Sequence, residues 1–153
     1  MKQRMKYWEV APELFRAMSG VEAALKGSLL PAGLVHMVKL RASQINGCAY
    51  CIDMHWKDSI AAGEKEQRLY MLNAWRESPF YTEKERAALA WTECLTNIRE
   101  TQAPDQEYTA VREQFSEKET AELTWCIAAI NAWNRVAISM RSEPGPYQAA
   151  KRG

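Results

Sequence analysis

The chain has 153 residues, of which 47% are hydrophobic and 25% charged, with a formal net charge of +1. This balance excludes a disordered chain, and the interleaving of Lys and Arg with Asp and Glu argues against a nucleic-acid partner. No segment approaches the roughly 20 apolar residues of a membrane span, and the N-terminus lacks the apolar run of a signal peptide. We therefore expect residues 1–153 to form one cytoplasmic domain with no membrane partner.

Helical spacing of apolar residues recurs along nearly the whole chain and predicts an all-α bundle of about six to seven helices. The second helix is predicted over residues 31–46 and ends at Gly47, because glycine favours the position just past a helix. The third begins at Cys48 and runs to Gly63. The first is predicted over residues 12–27, with one apolar side formed by Leu14, Phe15, Met18, Val21 and Leu25.

The fourth predicted helix covers residues 64–77 and has Leu69, Leu72 and Trp75 as its apolar set. Thr82 with Glu85 forms a capping box, a threonine hydroxyl and a glutamate that satisfy free amides at a helix start. The helix that follows is predicted to reach about Thr101.

A short sixth helix is predicted over residues 104–115, and Ser116 with Glu119 forms a second capping box before a final helix over 117–141. The tail after Ser142 is predicted to be irregular. The final helix is apolar on more than one face, which is typical of a helix in the core or in an oligomer interface. Its apolar residues are Leu123, Trp125, Ile127, Ala128, Ile130, Trp133, Val136 and Ile138.

Two of the four cysteines and one of the two histidines lie between Cys48 and His55. In the first turn of a helix, unpaired amides and the helix dipole stabilise a thiolate. His55 follows Cys51 by four residues, so it is a neighbour on the helix surface and could accept the thiol proton. Asp58, three residues further, could orient the His55 ring. The pattern favours thiol redox chemistry.

The second histidine, His36, is predicted to lie near His55. The two helices that carry them meet at Gly47, and in a helical hairpin a residue about ten before the turn lies level with one about ten after it. We therefore expect both imidazoles in one pocket.

Other interpretations stay open at this point. Cys48, Cys51, His55 and His36 could bind zinc as a Cys₂His₂ set, although one continuous helix would supply three of the ligands. His36 could equally be an ordinary core or surface histidine. Haem attachment is excluded because position 52 is isoleucine. Cys94 and Cys126 lie in apolar helical patterns and are predicted to be packing residues, and the tryptophans are predicted to lie in the core or an interface.

The segment 39–55, KLRASQINGCAYCIDMH, together with residues 69–77, 85–93 and 127–135, resembles the AhpD-like alkylhydroperoxidases of the carboxymuconolactone decarboxylase superfamily. The resemblance implies an AhpD-like all-α fold, a homo-oligomer and an antioxidant peroxidase that acts on organic hydroperoxides. It also implies that Cys51 attacks the peroxide, Cys48 resolves the sulfenic acid to a disulfide, and His55 belongs to a proton relay. A dithiol or a lipoyl-bearing protein would regenerate the thiols, and we expect neither a cofactor nor a metal.

One position departs from the family pattern. A glutamate normally stands twelve residues before the first cysteine, and here that residue is His36. We hypothesise that His36 replaces it as a proton shuttle, although it supplies no negative charge to hold His55 protonated, so the relay would be weaker or work in a shifted pH range. A zinc-binding or purely structural protein, and a disulfide reductase or redox sensor without peroxide turnover, stay as alternatives. Decarboxylation of a lactone acid has no evident need for a dithiol.

Overall fold

A computed structural model describes residues 2–150, and no strand is present in that range. The predicted all-α fold is confirmed: the described residues form nine α-helices, six of which have ten or more residues. Met1 and residues 151–153 of the predicted domain lie outside the described range. The helices are α1 (Tyr7–Val10), α2 (Pro12–Lys26), α3 (Ala32–Asn46), α4 (Ala49–Ala61), α5 (Glu66–Tyr70), α6 (Glu83–Thr96), α7 (Ile98–Thr101), α8 (Asp105–Gln114) and α9 (Glu117–Met140), with a 3₁₀ helix at Leu72–Ala74.

Helix α3 is the centre of the bundle and packs against α4, α6 and α9. Its residues Met37, Val38, Leu40 and Ala42 are all buried, so it is enclosed on several sides. Helix α9, which the sequence predicts to be buried on more than one face, contacts α2, α3, α4, α6 and α8. Apolar side chains of α9 are nevertheless exposed in the single chain, and the predicted homo-oligomer stays a prediction.

A buried polar network joins the C-terminal end of α3 to α9. The Asn46 amide donates to the side-chain oxygens of Asn131 (2.9 Å) and Asn134 (2.8 Å). Asn134 in turn donates to the Ser43 hydroxyl at 3.1 Å. The next residue, Gly47, has φ of +70°, a left-handed conformation that glycine adopts without a Cβ clash. The network and the glycine fix where the chain turns into α4.

The predicted fourth helix is wrong over most of its length. In place of one helix over residues 64–77, the structure has the short α5, the 3₁₀ helix and turns. Leu69, Leu72 and Trp75 are three residues apart and all buried in one cluster. A 3₁₀ geometry of three residues per turn aligns such side chains on one line, whereas an α-helix would fan them apart.

The predicted fifth helix ends early, at Thr96 rather than near Thr101. Asn97 donates its side-chain amide to the Glu93 carbonyl at 3.0 Å, and Thr101 donates its hydroxyl to the Cys94 carbonyl at 2.7 Å. Because these side chains take carbonyls that a continuing helix would use, the chain breaks and restarts as α7. The two predicted capping boxes are confirmed, and residues 142–150 are irregular as predicted.

The predicted apolar side of the first helix is only partly buried. Leu14 is 66% exposed and Leu25 is buried, so the C-terminal half of α2 enters the core and the N-terminal half does not. Phe15 instead contacts Trp133 of α9, with ring centroids 5.7 Å apart. Among the described residues, every helix is too short or too polar to cross a bilayer.

Candidate active site

The predicted helical hairpin brings the Cys-x-x-Cys motif to the start of α4. Cys48 is the residue that caps the helix, and its sulfur accepts a hydrogen bond from the backbone N–H of Cys51 at 3.4 Å. The two cysteines form a disulfide, with Cα atoms 5.3 Å apart. A disulfide within one Cys-x-x-Cys motif is a bond that thiol–disulfide exchange can open and close.

A cavity of about 430 Å³ adjoins the disulfide. Both cysteines pack in one core cluster with Ala42, Ile130 and Ala137, but Cys51 lines the cavity and Cys48 does not. The two sulfurs thus differ in access, and Cys51 is the one that faces the cavity. Its other walls are largely apolar and include Phe15, Leu25, Leu30, Val35, Met54 and Trp133.

Both histidines line the same cavity, His36 from α3 and His55 from α4. Their ring centroids are 6.4 Å apart and the rings are inclined by 40°. The predicted proximity of the two imidazoles is confirmed, while their catalytic roles stay predictions. In the described part of the chain, both ring nitrogens of His55 and Nδ1 of His36 are buried without a hydrogen-bond partner.

The surroundings of the histidines favour uncharged rings. Burial lowers the pKa of His55 to about 3, and the nearby charge of Lys39 and the second imidazole, His36, act in the same direction. Burial is also the main cause that lowers the pKa of His36, assisted by Lys39 and opposed by Asp58. Both rings are therefore neutral near pH 7, with a lone pair available on each.

A partly buried ion pair is among the groups that line the cavity. Lys39 is 5% exposed and forms a salt bridge with Glu22, which also accepts a hydrogen bond from the Trp133 indole at 3.0 Å. Together with the Trp133 indole, the pair connects α2, α3 and α9 around the site. The sequence does not single out Lys39 or Glu22, because their pairing depends on how the three helices pack.

The expected role of Asp58 is wrong in its detail. Its Oδ2 lies 3.9 Å from His55 Nδ1, too far for a hydrogen bond that would orient the ring. Oδ1 instead accepts a hydrogen bond from the Tyr147 hydroxyl at 2.7 Å. Burial, and then the bond to Asp58, raise the pKa of Tyr147, so the phenol remains a donor.

Tyr147 reaches Asp58 because the C-terminal tail is tied to α4. Lys57 donates to the carbonyls of Gly145 (3.0 Å) and Tyr147 (3.1 Å), and the Gly145 N–H donates to Asp53 at 2.9 Å. The sequence gives no signal for this contact, since an irregular tail has no periodicity that would place it.

The other cysteines are confirmed as packing residues. Cys94 and Cys126 are free and buried, and burial raises the pKa of the Cys126 thiol to about 11. The Cys126 thiol is therefore not a reactive thiolate near neutral pH. The Cys₂His₂ zinc set considered from the sequence requires two thiolates, and in the disulfide state Cys48 and Cys51 provide none.

Comparison with known proteins places this site in a family. Residues 12–93 match the sequence profile of the carboxymuconolactone decarboxylase family. The chain belongs to this family. The uncharacterized protein YdfG of Bacillus subtilis (strain 168), which is similar to the chain, is 44% identical over 140 residues, covering 92% of this chain and 95% of YdfG.

Solved structures support an AhpD-like fold for this family member. A protein of unknown function from Agrobacterium tumefaciens, described as a proposed antioxidant defence protein AhpD, is 44% identical with a TM-score of 0.92, covering 95% of this chain and all of its own. A peroxidase-related protein with an AhpD core from Ralstonia eutropha JMP134 has a TM-score of 0.81 at 20% identity, over 91% of this chain and 74% of its own. The second likeness concerns the fold alone.

Proposed function

We propose that this AhpD-like protein is a thiol peroxidase that reduces organic hydroperoxides through Cys51 and Cys48. The observation that carries the proposal is that the disulfide, His55 and His36 meet at one largely apolar cavity. The description of the Agrobacterium relative in terms of antioxidant defence supports the same role.

The reaction begins from the reduced dithiol. The Cys51 thiolate attacks the terminal oxygen of the hydroperoxide, which forms a Cys51 sulfenic acid and releases an alcohol once the alkoxide takes up a proton. The Cys48 thiol then attacks the sulfenic sulfur, and water leaves as the disulfide forms. The access of Cys51, but not of Cys48, to the cavity favours this division of roles.

His55 is the proposed proton acceptor for the Cys51 thiol. It lies one helical turn after Cys51 and lines the same cavity. Since no described group bonds to either ring nitrogen, its lone pair is not committed elsewhere. His36 is the proposed second carrier, taking the place of the family's glutamate, and it lies close enough to exchange a proton through one intervening water.

The cavity favours a substrate with an organic group. Its volume of about 430 Å³ is within the range of small-molecule sites, and its apolar walls would exclude water from an alkyl or aryl chain. Hydrogen peroxide gains nothing from such walls. We therefore expect a bulky organic hydroperoxide to react with a higher kcat/KM than hydrogen peroxide.

The same burial restricts the reductant. Cys48 and Cys51 are each 1% exposed, so the active-site surface of a folded redox protein cannot reach the disulfide directly. A slender dithiol on a flexible arm can enter the cavity, which favours a lipoyl-bearing protein over a thioredoxin-like one.

The test is an assay of organic hydroperoxide reduction with dihydrolipoamide as reductant, run on the parent protein, Cys51→Ser and Cys94→Ala. We expect Cys51→Ser to lose the activity and Cys94→Ala, which removes a buried thiol outside the cavity, to keep it. Equal rates in the parent and Cys51→Ser would refute the proposal. Turnover of the disulfide by dithiols without peroxide consumption would favour a disulfide reductase or redox sensor instead.

A further inference from the structure

Three side chains at the floor of the cavity are grouped as metal ligands are. His36, His55 and Asp58 each offer one ligand atom, and these atoms lie within 4.8 Å of one another. His55 Nδ1 and Asp58 Oδ2 are 3.9 Å apart. Helix α4 supplies two of the three groups at a spacing of three residues, and α3 supplies the third from across the hairpin.

The unpaired ring nitrogens are a second and independent observation. Both nitrogens of His55, a residue only 5% exposed, and Nδ1 of His36 have no hydrogen-bond partner among the described residues. Buried polar atoms are nearly always paired, because an unpaired one has lost its hydrogen bonds to water without a replacement. A bound cation would provide each imidazole with the partner that the protein does not.

The Asp58 carboxylate is also oriented in a way that suits metal binding. Tyr147 donates to Oδ1 of Asp58, which leaves Oδ2 as the atom nearer His55. Metal-binding side chains are commonly fixed in this way by a neighbouring hydrogen bond. Lys39 acts against a cation at both imidazoles, and its ion pair with Glu22 reduces that opposition at His36.

We propose that His36, His55 and Asp58 bind a first-row divalent cation such as Zn²⁺. Two imidazoles and one carboxylate are a ligand set that such cations accept, and the remaining coordination positions would face the cavity. The ligand atoms of a tetrahedral zinc are roughly 3.3 Å apart, so side-chain rotations that move each ligand atom by about 1 Å would bring the three atoms to coordination distance. The proposal does not depend on peroxide reduction, although a bound cation would occupy the lone pair that His55 needs to accept the Cys51 proton.

The test is a calorimetric titration of Zn²⁺ into the oxidised, chelator-treated full-length protein. We expect one Zn²⁺ per chain in the parent and also in the Cys48→Ser/Cys51→Ser double variant, because no sulfur takes part. His36→Ala and Asp58→Asn should weaken binding by more than about 100-fold, and Tyr147→Phe by about 10-fold, as is usual for a hydrogen-bond partner of a ligand. Asp105→Asn, which changes an exposed carboxylate on α8, should leave binding unchanged.

Several results would overturn the proposal. These are no stoichiometric binding, equal binding after His36→Ala and Asp58→Asn, or binding that disappears in the double cysteine variant. Co²⁺ in place of Zn²⁺ adds a spectroscopic test, since a sulfur-to-cobalt charge-transfer band would assign the ion to the cysteines. Thermal unfolding without metal identifies a variant that fails to fold. If His36→Ala or Asp58→Asn fails to fold, Tyr147→Phe, which only removes a hydroxyl, takes its place, and unchanged zinc affinity in that variant would count against the site. When the peroxidase assay is run on the same chelator-treated protein, it does not depend on zinc, so failure of one proposal is seen separately from failure of the other.

Discussion

Helix α3 carries two buried polar clusters that differ in one respect. At its C-terminal end, Asn46 bonds Asn131 and Asn134, and Asn134 also bonds Ser43, so these side chains have partners. About three turns earlier, His36 lies near His55, and three of their ring nitrogens are buried without a hydrogen-bond partner. The side chains of the first cluster, the asparagine cluster, hydrogen-bond to one another, whereas the second, the histidine cluster, has ring nitrogens without a hydrogen-bond partner.

The difference separates stability from chemistry. A paired buried polar group contributes about 1 kcal/mol to stability and fixes one arrangement of helices, while an unpaired one lowers stability. Unpaired groups persist where something other than the fold uses them. We therefore assign the asparagine cluster to the fold and the histidine cluster to the chemistry at the cavity, and the two assignments predict opposite effects of substitution.

The largest expected effect is that of His55→Leu on activity. Loss of a proton acceptor typically lowers a rate by about 10²–10⁴-fold, and we expect the peroxidase rate constant to fall within that range. The free energy of unfolding should change by less than about 1 kcal/mol, because leucine removes two unpaired nitrogens and fills similar space. Steady-state kinetics and urea denaturation of the same preparation check the two parts.

The assignment of the histidine cluster to chemistry would be wrong if His55→Leu lowered the free energy of unfolding by several kcal/mol and kept the full peroxidase activity. That outcome would make His55 a structural residue and would leave the thiol proton without its proposed acceptor.

Asn134→Ala should have the reverse profile. It removes a fully buried amide that bonds Asn46 and Ser43, and we expect a loss of roughly 2–3 kcal/mol from unpaired partners and the small cavity left behind. Asn73→Ala is the matched control, because Asn73 is exposed and should give almost no change. Chemical denaturation measures both, and a loss for Asn134→Ala no larger than the control would contradict a structural role for the cluster.

Substitutions at His36 test whether this residue takes part in the proton relay with His55. If it passes on the proton that His55 accepts, His36→Ala should slow peroxide reduction by less than the roughly 10²-fold that removal of a direct acid–base group costs. His36→Glu should restore the rate, because a carboxylate both carries a proton and stabilises a protonated His55. Single-turnover thiol oxidation is the measurement. Rates in His36→Ala equal to the parent would remove His36 from the relay.

Much of the site could be predicted from the sequence, since it depends on local rules. The helical period places Cys51 and His55 one turn apart, and Gly47 ends α3 so that His36 lies across from His55. These relations hold whatever the rest of the chain does. The same rules failed between residues 64 and 77, where the core aligned Leu69, Leu72 and Trp75 and replaced most of the expected α-helix.

The parts that the sequence could not predict depend on which segments pack together. Nothing in the pattern of α9 indicates that Asn131 and Asn134 would bond Asn46, 85 and 88 residues away. Likewise, the contact between Tyr147 and Asp58 requires a tail held by Lys57. A periodic pattern identifies the buried face of a helix, but not the polar partner that a particular residue on that face will have.

The smallest expected effect lies at Gly47, between Asn46 of the asparagine cluster and Cys48 of the Cys-x-x-Cys motif. Gly47→Ala should lose roughly 1–2 kcal/mol, because φ of +70° brings Cβ towards the following carbonyl oxygen. Gly20→Ala is the matched control, since Gly20 lies inside α2 with open space where a Cβ would stand, and it should be neutral or slightly stabilising. Thermal unfolding of the two variants measures the difference. If Gly47→Ala is also less active at a temperature where it is fully folded, the turn positions Cys48 and Cys51 as well as stabilising the fold; full activity would confine its role to stability.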